Sequence, residues 1–125
     1  MKLTNNTIDL EITRGDTILF NFVVTGLGGS DLSEAVFSCK KNIGDTEYVF
    51  QYNKSVDGAI AIADYDSQTD ETTYIVNIPA EATASLDLGN YYYDMQVTLN
   101  NTIITMLKGN FIISYDITRN NSNSN

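Results

Sequence analysis

Apolar and polar residues alternate along most of this 125-residue sequence. The alternation is regular from residue 18 to residue 24, where every second residue is apolar, and it is longest from residue 91 to residue 99. Because successive side chains of a β-strand point to opposite faces, a period of two predicts strands that bury one face. A chain with this pattern folds by packing sheets against each other.

Turn-forming residues separate the alternating runs at short intervals. Beyond the two runs above, the pattern predicts strands near residues 8–12, 35–39, 48–52, 59–62, 74–78, 103–106 and 111–117. Residues 64–71 are predicted to form an acidic loop, residues 79–86 a single helical turn, residues 100–101 a hairpin turn and residues 108–110 a bulge or turn. Many short strands with turns between them favour an all-β fold, an antiparallel β-sandwich of about seven to nine strands.

One domain is expected to cover residues 1–118, and the asparagine- and serine-rich residues 119–125 are expected to form a flexible polar tail. The first residues lack the apolar run of a signal peptide, and no segment has the length of a membrane span, so synthesis in a cytoplasm and no membrane partner are expected. Sixteen acidic and seven basic residues give a net charge of -9. That charge repels phosphate, so nucleic acid is not an expected partner.

The segment Asp87-Leu88-Gly89-Asn90-Tyr91-Tyr92-Tyr93 matches the pattern D-x-G-x-Y-x-C, with Tyr93 in the place of the cysteine. The pattern resembles the start of the penultimate strand of immunoglobulin domains. In that setting glycine supplies a tight turn, and Tyr91 closes the corner by donating its hydroxyl to nearby backbone. The resemblance implies an immunoglobulin-like sandwich, although the disulfide and the core tryptophan of true immunoglobulin domains are missing.

Three further segments extend the resemblance, in the order Ile12-Thr13-Arg14-Gly15-Asp16-Thr17, Asp31-Leu32-Ser33-Glu34-Ala35 and Gly109-Asn110-Phe111-Ile112-Ile113. Together with Gly89-Asn90-Tyr91-Tyr92-Tyr93-Asp94, this order is similar to the immunoglobulin-like domains of tailed-phage virion proteins. Those domains read I-x-[KR]-G-D-T, D-L-[ST]-x-A, G-x-Y-x-[YA]-[DE] and G-x-F-x-[IV]. The similarity covers most of residues 8–118. It includes capsid auxiliary or head-fibre proteins and the amino-terminal domain of upper baseplate proteins.

The resemblance implies a non-enzymatic structural protein of a bacteriophage virion, synthesised in the cytoplasm of the host bacterium. Its expected partners are other virion proteins, either the major capsid protein or baseplate and tail subunits, and a homo-oligomer is also compatible. Because the domain accounts for almost the whole sequence, a small auxiliary or decoration protein on the capsid is favoured. The alternative within the virion is a baseplate or tail adaptor module.

Residues suited to catalysis are scarce, since the chain has no histidine and a single cysteine. No catalytic residue, no cofactor and no metal ligand is predicted. Cys39 alternates with apolar neighbours and is expected in the core. A hydrolase that uses Asp64 and Asp66 is disfavoured, because paired acids need an enclosing pocket. A calcium site is also left open, but a solvated acidic loop is preferred for the residues Asp57, Asp64, Asp66, Asp70 and Glu71.

Exposed tyrosines are the candidate binding residues. Tyr92 should point away from Tyr91 and Tyr93, which are expected in the core. The interface candidates are Tyr92, Tyr48, Tyr52 and Tyr74, because tyrosine buries a large area at low entropic cost. They suit a protein partner or, as an alternative of another class, a carbohydrate- or receptor-binding module. Unpaired edges of the first and last strands are a further candidate surface. Residues 14–16, an Arg-Gly-Asp triplet, are expected to form a turn.

Overall fold

A computed structural model describes residues 6–115 of the chain; the predicted tail at residues 119–125 lies outside the described residues. The described part contains nine strands and one short helix, in the order β1 (Asn6–Thr7), β2 (Leu10–Thr13), β3 (Ile18–Thr25), β4 (Glu34–Lys40), β5 (Phe50–Asn53), β6 (Ile60–Asp66), β7 (Glu71–Ile78), α1 (Glu81–Ala84), β8 (Gly89–Leu99) and β9 (Thr102–Ser114). The predicted all-β class is confirmed. The helix in the described residues is too short and too polar to cross a membrane.

The strands form two facing sheets. One sheet has six strands in the order β1-β9-β8-β4-β5, with β2 also paired to β9, and the other has three strands in the order β3-β7-β6. All pairings are antiparallel except those of β1 and β2, which run parallel to β9. The predicted first strand is therefore split in two, and its direction relative to β9 departs from the antiparallel expectation.

The core lies between the sheets and follows the alternation of the sequence. Ile18, Phe22 and Val24 of β3 are buried, and Leu19 and Val23 between them are exposed. The same alternation buries Ala35, Phe37 and Cys39 on β4 and Tyr91, Tyr93, Met95 and Val97 on β8. Cys39 has no exposed surface and is a small core residue, as predicted, and this burial raises the pKa of its thiol to about 12.

Aromatic rings fill the middle of the core, where a disulfide would link the sheets of an antibody domain. The Phe37 ring stacks on Tyr93 with 5.2 Å between centroids and on Phe50 with 6.0 Å. Phe111 meets Phe37 edge-on at 6.2 Å, and Phe20 approaches it at 6.0 Å. Offset and edge-to-face rings stabilise each other beyond the area they bury. This aromatic cluster, centred on Phe37, lies mostly on the six-stranded sheet, and the contact of Phe37 with Phe20 joins it to the three-stranded sheet.

The corner predicted from the Asp87–Tyr93 segment is present. The Tyr91 hydroxyl donates a hydrogen bond of 2.8 Å to the Asp87 carbonyl, and Tyr91 itself is buried. Gly89 between them has a φ of 134°, a value that residues with a Cβ rarely adopt. The hydroxyl therefore ties the end of the α1–β8 connection to the strand that follows it.

Tyr91→Phe is expected to lower the free energy of unfolding by about 1 kcal/mol, because it removes this hydrogen bond and leaves the ring in place. A urea titration followed by fluorescence measures the shift in midpoint at constant slope. Tyr115→Phe is the matched control, since Tyr115 is 66% exposed. Equal midpoints for Tyr91→Phe and the parent protein would show that the corner does not stabilise the fold.

The structure differs from the sequence prediction in two regions. Strand β6 continues to Asp66, so the predicted acidic loop at residues 64–71 shrinks to a turn at residues 67–70. Strand β9 runs without a break through residues 108–110, and the extra residue in its ladder with β8 is Met106, where the register shifts. Asp64 and Asp66 are exposed residues of β6 that pair with β7. Their charge is typical of a loop, and for that reason the sequence prediction ended the strand too early.

The Arg-Gly-Asp triplet forms the predicted turn. The Asp16 amide donates to the Thr13 carbonyl at 3.0 Å, and Gly15 has a φ of 83°. The Gly15 amide also donates to the buried Thr83 hydroxyl at 2.9 Å, and the Arg14 guanidinium reaches the Leu86 carbonyl at 3.4 Å. These hydrogen bonds attach the turn to Thr83 of helix α1 and to Leu86, which follows the helix. The Arg-Gly-Asp triplet therefore has a structural role in this fold.

Candidate functional site

The outer face of the six-stranded sheet contains an open hollow of about 610 Å³. Its floor is made by the alternate residues of β4 and β8 that do not enter the core: Val36, Ser38 and Lys40 on β4, and Tyr92, Asp94 and Gln96 on β8. Strands β5 and β9 contribute Gln51, Lys108 and Asn110 to its flanks. We refer to this surface as the sheet hollow.

Two of the tyrosines proposed from the sequence meet in the sheet hollow. Tyr92 is half-buried and lies directly opposite Lys40 on β4 and Asn110 on β9. Tyr48, which precedes β5, is exposed, and the Lys40 ammonium lies 5.1 Å from the centre of its ring. A cation over an aromatic face is attracted by the ring quadrupole. Lys40 thereby links the two rings into one surface, and Tyr92 points away from its neighbours as predicted.

Asp94 is a partly buried carboxylate on the floor of the sheet hollow. It lies between Ser38 of β4 and Lys108 of β9 in the strand register. Burial raises the pKa of the Asp94 carboxyl, and the positive charge of Lys40 offsets part of this effect. Within the described residues, no side chain or amide donates a hydrogen bond to Asp94. The carboxylate is thus partly desolvated and open to a donor from outside the chain.

Two pairs of polar residues in the sheet hollow hold each other in place. The Gln51 amide donates to the Ser38 hydroxyl at 2.9 Å. The Asn110 backbone amide and side-chain amide both donate to Asp9, at 3.0 and 3.2 Å. Side chains with fixed positions lose little entropy when a partner binds, which favours recognition by a preformed surface. The arrangement offers donors, the carboxylate of Asp94 as an acceptor, and an aromatic edge, which suits the binding of a polar protein surface.

The other two proposed tyrosines do not reach the sheet hollow. Tyr52 pairs with Phe37 across β4 and β5, so it packs on the margin of the core. Tyr74 has no exposed surface, so its prediction as an interface residue is corrected. Its hydroxyl donates to Asp31 at 2.6 Å and accepts from the Leu32 amide at 2.9 Å. Tyr74 is a structural residue of β7 that anchors the β3–β4 loop.

Asp31 completes this anchor at the surface. Its carboxylate accepts from the Leu32 amide at 2.8 Å and pairs with the Lys54 ammonium at 2.8 Å. Partial burial disfavours the charged form, but the hydrogen bonds from Lys54, Tyr74 and Leu32 outweigh it, so the pKa of Asp31 is lowered. Burial raises the pKa of Tyr74, and the Asp31 carboxylate raises it further, so the Tyr74 hydroxyl stays protonated and acts as a donor.

The acidic residues considered for calcium or hydrolysis do not converge. Within residues 6–115, no group of three or more acidic, histidine or cysteine side chains is placed to hold a metal ion. Asp66 and Asp70 accept hydrogen bonds from nearby amides, at Gln68 and Gly28 respectively. Asp64 and Asp66 are both exposed on β6, outside any enclosing pocket.

The sheet hollow also contains polar residues that were not predicted as site residues, although the sequence pattern does indicate that they face outward. Ser38 and Lys40 on β4, and Asp94 and Gln96 on β8, alternate with apolar residues, so on each strand they must face away from the core. That β4 and β8 are neighbours depends on pairing between distant segments, which alternation alone does not reveal. The sheet hollow is therefore a product of topology.

Two sheets, a tyrosine corner and a central aromatic cluster define an immunoglobulin-like β-sandwich. No protein-family model matches the chain, and no curated protein matches it. A solved chain from a structure-based photo-crosslinking study of multimeric cell-adhesive interactions of VGSC beta subunits is similar to it. The TM-score is 0.40 at 11% sequence identity, and the match covers 93% of this chain and 99% of that chain. At that level of similarity nothing about function is transferred.

Proposed function

We propose that this protein is a non-enzymatic assembly module that binds a protein partner through the sheet hollow. The observation that supports this proposal is the arrangement of Tyr92, Lys40 and Asp94 on one open, preformed face. Interfaces are enriched in tyrosine at their centre, and a partly desolvated carboxylate beside it gives such a centre polar specificity. Its partner should present a donor, such as an arginine or a backbone amide, to Asp94.

A protein partner suits the sheet hollow better than a sugar does. A sugar-binding platform needs a free aromatic face, and the ring of Tyr48 already lies under the Lys40 ammonium. The hydroxyl of Ser38 is engaged by Gln51, so fewer groups are free to bind sugar hydroxyls. A broad, shallow surface of this kind matches the contact between two folded proteins.

The resemblance to tailed-phage domains supplies the partner in this proposal. The protein would be a virion component that sits on the capsid as a small auxiliary or decoration protein, with the major capsid protein against the sheet hollow. The net charge of -9 favours a partner surface with excess positive charge. A baseplate or tail subunit is the alternative partner, and it would use the same surface.

The test is co-sedimentation of the purified protein with assembled capsids of the phage that encodes it, followed by titration. We expect near-stoichiometric occupancy for the parent protein and at least about tenfold weaker binding for Tyr92→Ala, the loss of about 1.4 kcal/mol. Tyr115→Ala is the matched control, because Tyr115 is exposed away from the sheet hollow. Thermal unfolding of both variants checks that they remain folded.

Two results would contradict the proposal. One is absence of the protein from purified particles, both heads and tails. The other is binding by Tyr92→Ala that equals the parent protein. A glycan array with and without a calcium chelator addresses the carbohydrate-binding alternative, and saturable binding that requires Tyr48 or Tyr92 would favour that alternative.

A further inference from the structure

The two sheets present four outer edges, and three of these edges are protected against pairing with another chain. Strand β5 has only four residues, and the edge formed by β1 and β2 is interrupted at residues 8–9. Strand β6 carries Asp64 and Asp66 and has a bulge between Ile62 and Asp64. Short length, interruption, charge and bulges are the usual means by which a protein prevents edge-to-edge association.

The fourth edge, strand β3, has none of these protections. It reads Ile-Leu-Phe-Asn-Phe-Val-Val-Thr, without a charged residue, a proline or a glycine, and all eight residues pair with β7 in unbroken register. Within the described residues, no strand pairs with its other side. Its outward side chains include Leu19, which is 60% exposed, and Val23, which is 47% exposed. A long, regular, apolar edge of this kind is a template for strand addition.

The free edge of β3 is also accessible. It borders an open hollow of about 500 Å³ between the two sheets, lined by Phe20, Phe22 and Val23 together with Leu10 and Met106. The opening arises because β1 and β2 pair with β9, on the other sheet, and leave β3 uncovered in the described part of the chain. The last strand, β9, which the sequence suggested as an open edge, is covered on both sides.

We propose that two copies of this chain associate by antiparallel pairing of β3 with β3 around a two-fold axis at Asn21. In an antiparallel pair, directly opposed residues lie on the same face, so odd-numbered residues of one β3 must face odd-numbered residues of the other. In the register centred on Asn21, Leu19 of each copy lies opposite Val23 of the other copy. If the axis moves by one residue in either direction, Leu19 and Val23 lie opposite polar residues instead.

The uncharged and self-complementary sequence of β3 favours a second copy of this chain as the occupant of the edge. A chain with 16 acidic and 7 basic residues repels its own copy wherever carboxylates meet. Strand β3 carries no charge, so the proposed contact sets no carboxylates of β3 against each other, and its apolar outward residues complement themselves. A two-fold contact is closed, so it yields a discrete dimer and no fibre.

In the dimer the two three-stranded sheets would join into one continuous sheet of six strands. The sheet hollow of each copy lies on the other sheet of the sandwich and stays free. The assembly would thus present two copies of the sheet hollow, and a bivalent particle binds a lattice of identical sites more tightly than a single copy does. This inference rests on the edge of β3 and stands without the proposed function.

The mass of the protein in solution tests the inference, by sedimentation equilibrium over a range of micromolar concentrations. An interface of one strand pair is at the small end of specific interfaces, so we expect a dissociation constant in the micromolar range. Val23→Lys should be monomeric throughout, because it places two charges on the proposed contact. Ala61→Lys is the matched control on β6, exposed and at the opposite edge of the same sheet, and it should still dimerise.

Cross-linking tests the register. Opposed Cβ atoms of an antiparallel pair are about 4.5–5.5 Å apart, within a small adjustment of a disulfide. Asn21→Cys should therefore form a covalent dimer under mild oxidation at least about tenfold faster than Ala61→Cys. The native Cys39 is buried and does not compete. A monomer at every concentration, assemblies larger than a dimer, or equal cross-linking rates for the two cysteine variants would overturn the inference.

Discussion

Gly109→Ala is expected to destabilise the protein by on the order of 3 kcal/mol, one of the largest effects of any single methyl group in this chain. A Cβ at residue 109 would lie 2.8 Å from the Ile8 carbonyl carbon, closer still to its oxygen, and 3.1 Å from the Asp9 carboxylate. The obstacle is backbone, so no change of rotamer relieves it. The segment between β1 and β2 would have to move off β9.

The Ile8 carbonyl cannot move without a second loss. It accepts a hydrogen bond of 2.6 Å from the buried Tyr93 hydroxyl, and the Ile8 amide donates to the Lys108 carbonyl at 2.8 Å. Burial, with a contribution from Asp9, raises the pKa of Tyr93 to about 12, so this donor stays protonated. Because Gly109 has no side chain, the Ile8 carbonyl can pass close to it and accept the hydrogen bond from the buried Tyr93 hydroxyl.

Urea denaturation of four proteins measures the effect: the parent, Gly109→Ala, Tyr93→Phe and the double variant. Because both substitutions disturb the Ile8 carbonyl, their effects should be less than additive. Gly44→Ala is the control, since a Cβ there meets nothing within 4 Å. Additive effects, or equal midpoints for the Gly109 and Gly44 variants, would show that the close approach does not matter.

The packing role of Gly109 could not be predicted from the sequence. Glycine beside asparagine predicted a bulge or turn at residues 108–110, because those residues are typical of turns. The structure uses the same glycine for the close passage of the segment between β1 and β2, at Ile8, which is 101 residues away along the chain. Single-sequence patterns report the local backbone, and they do not report which distant segment passes over it.

Other features could be predicted because they depend on near neighbours. The corner at Tyr91 needs only residues 87–91, and the outward direction of Tyr92 follows from strand geometry. The complete burial of Tyr74 could not be predicted from its neighbours. Its alternation with Val76 places its ring on the core face, but nothing near it in the sequence shows which group accepts a hydrogen bond from its hydroxyl; Asp31, 43 residues earlier, is that acceptor and allows complete burial.

The two proposed surfaces also depend on pairing between distant strands. The sheet hollow exists because β8 lies beside β4, and the open edge exists because β1 and β2 leave β3 and join β9. Alternation indicates which residues of a strand face outward, but strand order decides which outward faces are neighbours. The sheet that carries the open edge is separate from the sheet that carries the hollow, so association and partner binding can be disabled independently.

Phe37→Ala is expected to lower the free energy of unfolding by about 3–5 kcal/mol, enough to abolish much of the stability of a domain of this size. Phe37 has no exposed surface, and its ring contacts those of Tyr93, Phe50, Phe111 and Phe20. Truncation leaves a cavity between the sheets, and rings held by two sheets cannot close it. The immunoglobulin disulfide is absent, so no covalent link limits the loss.

Thermal and urea unfolding of Phe37→Ala measure this loss, and Ile103→Ala is the control because Ile103 is 65% exposed. A double-mutant cycle of Phe37→Leu with Tyr93→Leu isolates the stacked pair, for which we expect a coupling of about 0.5–1.5 kcal/mol. A loss below about 1 kcal/mol for Phe37→Ala would mean that the sheets are joined elsewhere. Zero coupling with a large single effect would mean that the volume of the Phe37 ring, and not its stacking on Tyr93, stabilises the core.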